Sequence, residues 1–284
     1  MRDLRSLDVT VLVADPDARC RASARARGAT IAASTVVDLP ECDGYVVVTP
    51  ASTHREVCES LLGRGAPVYV EKPPCTSVTD VESLIAKAHG RLFVMHKWRY
   101  HPGVLAIREL LRRGDLGEPR MLETTRTGPQ QLPPDVDVTW HLAVHDLAVA
   151  LELLGSVPRV RTADGHLDRA GRLVRCRATL DSEAGVGHHL VAAAGERDNL
   201  RRVRLLGTDR TAVLASPDAT VVSLIARDGS EEAIALSSDM PLERELAAFV
   251  AHCNGGPAPK SSGVDAVQVC EQLAVIDALV RSRQ

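Results

Sequence analysis

Residues 45–72 read YVVVTPASTHREVCESLLGRGAPVYVEK. An apolar, β-branched run at 45–48 gives way to a helical pattern over 52–62, closed by Gly63 and Gly65, and a second apolar run follows at 68–70. Strand, helix, strand within about thirty residues is a βαβ unit, because parallel neighbours need a crossover that a tight turn cannot supply. Downstream, 78–89 is helical, Gly90 stops it, and 92–95 returns to strand. Upstream, 9–14 (VTVLVA) ends in Asp15-Pro16-Asp17, a helical stretch runs to Arg27 and Gly28, and 29–33 is again a short strand. These runs are continuously apolar rather than alternating, as strands covered by helices on both faces must be. A truncated Rossmann-like α/β domain with a parallel sheet is expected over residues 1–98.

The texture changes beyond residue 98. Pro102 opens a helix to Arg113 that Gly114 ends, the favoured placement of Pro inside the start and Gly past the end. A strand near 120–127 and a Pro/Gln loop lead to a helix over 137–154, stopped by Gly155. Between 157 and 236, runs such as VRCRATL, HHLVAAA, RRVRLLG and TVVSLIA are separated by Gly, Asp and Ser, which predicts sequential antiparallel strands. Helices over 242–253 and 264–281 close the chain. Residues 99–284 read as an α+β domain with an antiparallel open sheet.

Composition narrows the function. A net charge of −3 gives no footprint for nucleic acid or an anionic membrane. Seven cysteines, odd in number and without CxxC spacing, argue against a zinc ribbon or a disulfide framework and fit a reducing compartment. The N-terminus lacks an apolar signal core and no stretch approaches the length of a membrane span, so a cytoplasmic location is expected.

In open α/β sheets ligands bind beyond the carboxyl ends of the strands, where Glu71 and Lys72 fall. A lysine with a pKa lowered by burial can exchange a proton with a substrate hydroxyl; the same two residues also read as a surface ion pair. Asp137, His141 and His145 are spaced i, i+4, i+8 and would share one helical face. That face suits a proton relay, a metal site with no evident third ligand, or buried histidines hydrogen-bonded to backbone. Asp15 ends a strand where an acid holds a ribose 2′-hydroxyl and disfavours a 2′-phosphate, although Asp-Pro-Asp is equally good turn chemistry. Lys97 and Arg99 follow the last parallel strand and suit a substrate carboxylate or phosphate, or a solvated domain seam.

Thr49-Pro50-Ala51-Ser52-Thr53-His54, followed by Glu71-Lys72-Pro73, resembles the TPxxxH…EKP signature of the glucose–fructose oxidoreductase/inositol dehydrogenase (Gfo/Idh/MocA) family. Arg99-Tyr100-His101-Pro102, Gly114-Asp115-Leu116-Gly117, His145-Asp146 ahead of Gly155, and Pro241-Leu242-Glu243-Arg244-Glu245-Leu246 with Phe249 stand where other landmarks of that family would. The resemblance implies an oxidoreductase acting on a secondary hydroxyl or keto group of a sugar- or cyclitol-like substrate with NAD, NADP being disfavoured by Asp15. It implies Lys72 as the proton-transfer residue with His145 and His141 beside it, and no metal. Asp15, Thr49, Pro50, His54, Glu71 and Lys72 form the cofactor set, Lys97, Arg99 and Asp137 the substrate set. A homo-oligomer through the second domain's sheet is also implied. His141 stands where most members carry an aspartate.

A dinucleotide fold opens with a strand, GxGxxG and a helix roughly twenty residues before its acidic residue. Here fourteen residues precede Asp15, and residues 2–7 look like the tail of that helix. Without the glycine loop, cofactor binding is expected to be impaired. The missing strand would be central, and buried unpaired strand edges are costly. Three readings stay open. A segment upstream of Met1 supplies the strand, or residues 9–14 pair directly with 45–48. Otherwise the protein is a non-catalytic ligand-binding or scaffold relative.

Overall fold

The structure, a computed structural model, describes residues 2–283. Its first half comprises α1 (Arg2–Arg5), β1 (Leu12–Ala14), α2 (Ala18–Ala26), β2 (Ile31–Ala33), β3 (Tyr45–Val47), α3 (His54–Leu62), β4 (Val68–Glu71), α4 (Val78–Ala88) and β5 (Leu92–Met95). The helices start where the sequence supplies a cap: Asp17 accepts from the Arg19 amide and Ser77 from the Asp80 amide. β1 pairs with β2, and β3 with β4 and β5, all parallel, yet the two ladders are not joined. Direct pairing of residues 9–14 with 45–48, one of the three readings, is therefore not what the chain does. Ahead of β1, Leu4 and Leu7 pack on the cluster of Tyr69 and Phe93, beside α7.

Register explains how the β3–β5 sheet buries both faces. Val46, Tyr69 and Phe93 stand opposite one another across the three strands. This row packs under α7 (Pro241–Cys253), with Phe249 4.9 Å from the Tyr69 ring. The alternate row, with Val47, Val70 and Val94, faces the core that includes α3, α4 and α8 (Gly263–Arg281). The outer edge of β5 is paired as well: the Val94 amide donates to the Ser261 carbonyl and Phe93 bridges Ser262. The C-terminal helices thus also cover the first sheet, α8 lying between it and the β7–β8 part of the second half. Each fully buried Val or Leu in these layers contributes about 1.5–3 kcal/mol, so face packing rather than ladder continuity stabilises this sheet.

The second half adds α5 (Pro102–Arg113), β6 (Pro119–Gly128), a π-helical turn (Thr139–Ala143), α6 (Val144–Leu154), β7 (Arg159–Leu167), β8 (Leu173–Asp181), β9 (Gly187–Ala194), β10 (Arg201–Gly207), β11 (Arg210–Leu214), β12 (Val221–Ala226) and β13 (Glu231–Ala235). Gly114 and Gly155 end α5 and α6 in the left-handed conformation, as their positions predicted. One continuous sheet runs β13-β12-β11-β10-β6-β9-β8-β7. It is mixed rather than purely antiparallel, because β6 and β9 are parallel. α6 carries the chain back after β6, so the third strand of the β7-β8-β9 meander runs the same way as β6. Leu122, Thr124 and Arg126 point inward from β6 at alternate positions and α6 is almost wholly buried. Among the described residues no helix is long and apolar enough to cross a membrane.

Candidate active site

A cavity of about 1230 Å³ opens between the two halves. The carboxyl ends of all three strands of the β3–β5 sheet reach it: Thr49 and Pro50 after β3, Glu71 and Lys72 at the end of β4, Lys97 after β5. The second half contributes Arg126, His141, His145 and Arg201. This is the crevice in which an open parallel sheet holds ligands.

Lys72 lies at its centre, followed by a cis bond to Pro73. Nζ donates to the His141 carbonyl at 3.1 Å, and the Lys72 amide donates to Glu71 Oε2 at 2.9 Å. Burial lowers the Lys72 pKa below the ordinary lysine value, opposed by Glu71 and reinforced by Lys97 and Arg126. His145 and His141 face the same cavity. Burial pushes His141 down to about 4, and burial together with Lys72 and Arg126 holds His145 well below its usual range. Both rings are neutral at pH 7, and the buried Nδ1 of His145 has no protein partner. A lysine eased toward its neutral form beside two neutral imidazoles can accept a hydroxyl proton. Among the described residues no third His, Cys, Asp or Glu joins the histidines in a metal-holding cluster.

Other expected residues lie elsewhere or do other work. Asp137 does not line this cavity; it pairs with Arg281 of α8. The Asp137 carbonyl still accepts from the His141 amide at 2.9 Å, one ordinary helical turn, and it is the Arg281 guanidinium that takes up its carboxylate. Arg99 is also absent from the cavity wall. Its guanidinium binds Glu152 at 3.1 Å and Asp265 at 2.9 Å, fastening α6 to α8. His54 touches the cavity, but its ring nitrogens lie 2.8 Å from the Pro73 carbonyl and 2.7 Å from the Thr49 carbonyl, placing the ring between the β3 loop and the β4 loop. Asp15 sits at the end of β1, outside the cavity wall, and Oδ1 accepts from the Asp17 amide at 2.8 Å, the turn role.

The sequence reading missed Arg126, Asp146, Trp98 and Arg201. Arg126 Nη2 and Asp146 Oδ1 pair at 3.1 Å with side chains 3% and 1% exposed. Burial raises the Asp146 carboxyl even with the guanidinium pulling it back. The Arg126 guanidinium stacks 4.3 Å over Trp98, whose other neighbour is His101 at 4.7 Å, near-coplanar. Alternation along β6 was the available signal, since it places an arginine inward in line with Leu122 and Thr124. Arg201 gave none, because its place depends on strand order.

The profile of an oxidoreductase family with an NAD-binding Rossmann fold, Gfo/Idh/MocA, matches residues 2–96. A UDP-N-acetylglucosamine 3-dehydrogenase of Acidithiobacillus ferrooxidans is 32% identical over 178 residues, 61% of this chain and 56% of that protein. An inositol 2-dehydrogenase of Rhizobium meliloti is 24% identical over 218 residues, 73% of this chain and 61% of that one. The sequence match thus spans less than two thirds of either relative. The solved structure of the Acidithiobacillus enzyme superposes with a TM-score of 0.83 at 26% identity, covering 96% of this chain and 90% of its own. A levoglucosan dehydrogenase in complex with NADH and levoglucosan gives 0.86 at 15% identity, covering 97% and 89%, a likeness of fold. Residues 2–96 thus match the Gfo/Idh/MocA oxidoreductase profile, and the chain as a whole is similar in sequence and fold to the Acidithiobacillus enzyme, with the cavity and its lysine at the strand ends.

Proposed function

We propose that this protein is an NAD-dependent oxidoreductase acting on a secondary hydroxyl or keto group of a sugar- or cyclitol-like substrate. The observation that carries the reading is Lys72. It is partly buried at the carboxyl end of β4, inside the cavity between the domains, with its pKa lowered and two neutral histidines beside it. The Thr49-Pro50 loop and the hydrogen-bond-accepting Glu71 carboxylate would hold the reactive end of the cofactor, and NAD supplies the hydride acceptor when bound. Among the described residues no glycine-rich turn precedes β1, so pyrophosphate contacts from that direction form no part of the reading. In oxidation Lys72 Nζ takes the proton from the substrate hydroxyl oxygen; in reduction it returns it. The rings of His145 and His141, on the same wall, orient that oxygen. A homo-oligomer through the second domain's sheet is proposed with it.

The unjoined β1 and β3 favour a second reading, a sugar-binding protein without turnover. Assaying NAD reduction over a panel of sugars and cyclitols separates the two. Lys72→Met is expected to lower turnover about 10²–10⁴-fold with NAD affinity within a few-fold of wild type. Unchanged turnover in Lys72→Met overturns the catalytic assignment, and sugar binding with no hydride transfer under any condition selects the second reading.

A further inference from the structure

Antiparallel register sets Arg201 of β10 directly opposite Arg126 of β6. Like charges opposite one another on neighbouring strands repel, and a folded chain keeps such a pair only with compensation. Asp146 serves them unequally: it pairs with Arg126 at 3.1 Å, while Arg201 receives only its longer-range attraction. Arg201 is half-buried, and Nη1 is used on the carbonyls of Thr127 and, at 2.7 Å, Leu200. Its Nε and Nη2 make no protein hydrogen bond among the described residues. Most arginines of this chain that lie as deep are paired with a carboxylate, as Arg99 and Arg126 are.

The surroundings are built to donate. A Cβ placed on Gly128 would lie 2.3 Å from Gln130 Oε1 and 2.9 Å from Asn199 Oδ1, so the absence of a side chain lets both amides crowd beside Arg201 on the cavity wall. The Nε2 of Gln130 is buried with no partner. Of the acids on the wall, Asp135 accepts from the Ser52 amide at 3.1 Å and Glu71 from the Lys72 amide, and neither these nor Asp3 or Asp218 forms an ion pair with Arg201. Burial and Arg126 press the Arg201 pKa down, and Asp146, from beyond pairing distance, offsets them only in part. His141 lies within Coulombic reach of both Lys72 and Arg201, which ties this end of the cavity to the proton-transfer end.

We propose that the substrate carries an anionic group, a carboxylate or a phosphate, seated against Arg201, Gln130 and Asn199 while its reacting hydroxyl faces Lys72. This rests on the sugar-type reading above and selects within it: acidic or phosphorylated sugars rather than neutral sugars and cyclitols. Calorimetric titration of the full chain with D-glucuronate, glucose 6-phosphate, UDP-N-acetylglucosamine, glucose and myo-inositol tests it, the first three separating carboxylate from phosphate. At least one anionic probe is expected to bind tenfold or more tightly than either neutral one, and inorganic sulfate is expected to compete with it. Arg201→Gln is expected to weaken that probe about ten- to a hundredfold, with NAD affinity and melting temperature near wild type, and Arg201→Lys to recover part of the loss. Equal affinity for charged and neutral probes, binding of none of them, or an Arg201→Gln effect shared equally by NAD overturns the proposal. Charge-selective binding without hydride transfer would sink the oxidoreductase reading and leave this one standing.

Discussion

The two sheets of this molecule solve the same problem differently. The eight strands of the second half form one ladder, whereas the five parallel strands of the first fall into a pair and a triplet. The triplet compensates by covering: one face lies under α1 and α7, the other against α3, α4 and α8, and Ser261 and Ser262 seal its β5 edge. The β1–α2–β2 unit has little of this. Only Val11, Ala24 and Ala32 are buried within it, and Ile31 is 40% exposed. A ladder can be interrupted where faces are well packed, and stability then becomes local.

Hydrogen exchange should expose that contrast most strongly. Amides of β1, α2 and β2 are expected to exchange at least about a thousandfold faster than those of β6, β9 and β10, since they open without unfolding the rest. Uniform protection across both halves would show the first half to be one cooperative unit. Next in size is the buried ion pair under the cavity. Asp146→Ala leaves the Arg126 charge without its partner, and chemical denaturation should register a loss of about 3–5 kcal/mol. Leu205→Ala, in the core beneath the continuous sheet, should cost about 2–5 kcal/mol, while Ile31→Ala in the detached pair should stay within about 0.5 kcal/mol. Comparable losses from these two would break the comparison.

The smallest expected effects are in pH dependence, and they differ in sign between the halves. Burial pushes His188 of β9 down to about 3, so the unfolded chain binds its proton first and stability falls as pH drops below about 6.5 toward 3. Burial pushes Glu245 of α7 up to about 8, so there the folded chain holds the proton and stability falls as pH rises from about 4.5 through 8. Each slope is at most about 1.4 kcal/mol per pH unit. Melting curves of Glu245→Gln should flatten on the neutral-to-basic side and those of His188→Phe on the acid side; a wild-type profile in either variant refutes that assignment.

Local patterns were legible in the sequence and long-range convergence was not. The strand-end pair Glu71-Lys72, the glycine stops at Gly114 and Gly155 and the alternating runs after residue 157 depend on neighbours a few residues away, and each appears where expected. Asp137 escaped because its partner is Arg281 of α8, from the far end of the chain, which no helical period reveals. Arg99 carries the chemistry of a ligand contact, and only the return of α8 with Asp265 reveals it as a fastener. The Arg126–Asp146–Trp98 cluster and Arg201 come from four separate stretches of chain, so no spacing rule joins them.

The late return of α7 has a consequence for biosynthesis. Phe93 emerges from the ribosome about 150 residues before Phe249, which covers it, a delay of roughly 8–30 s at bacterial or eukaryotic elongation rates. During that interval the Val46–Tyr69–Phe93 row has no lid, so the half made first is finished last. The nascent chain therefore presents a sticky apolar surface to chaperones while the continuous sheet is already assembling behind it.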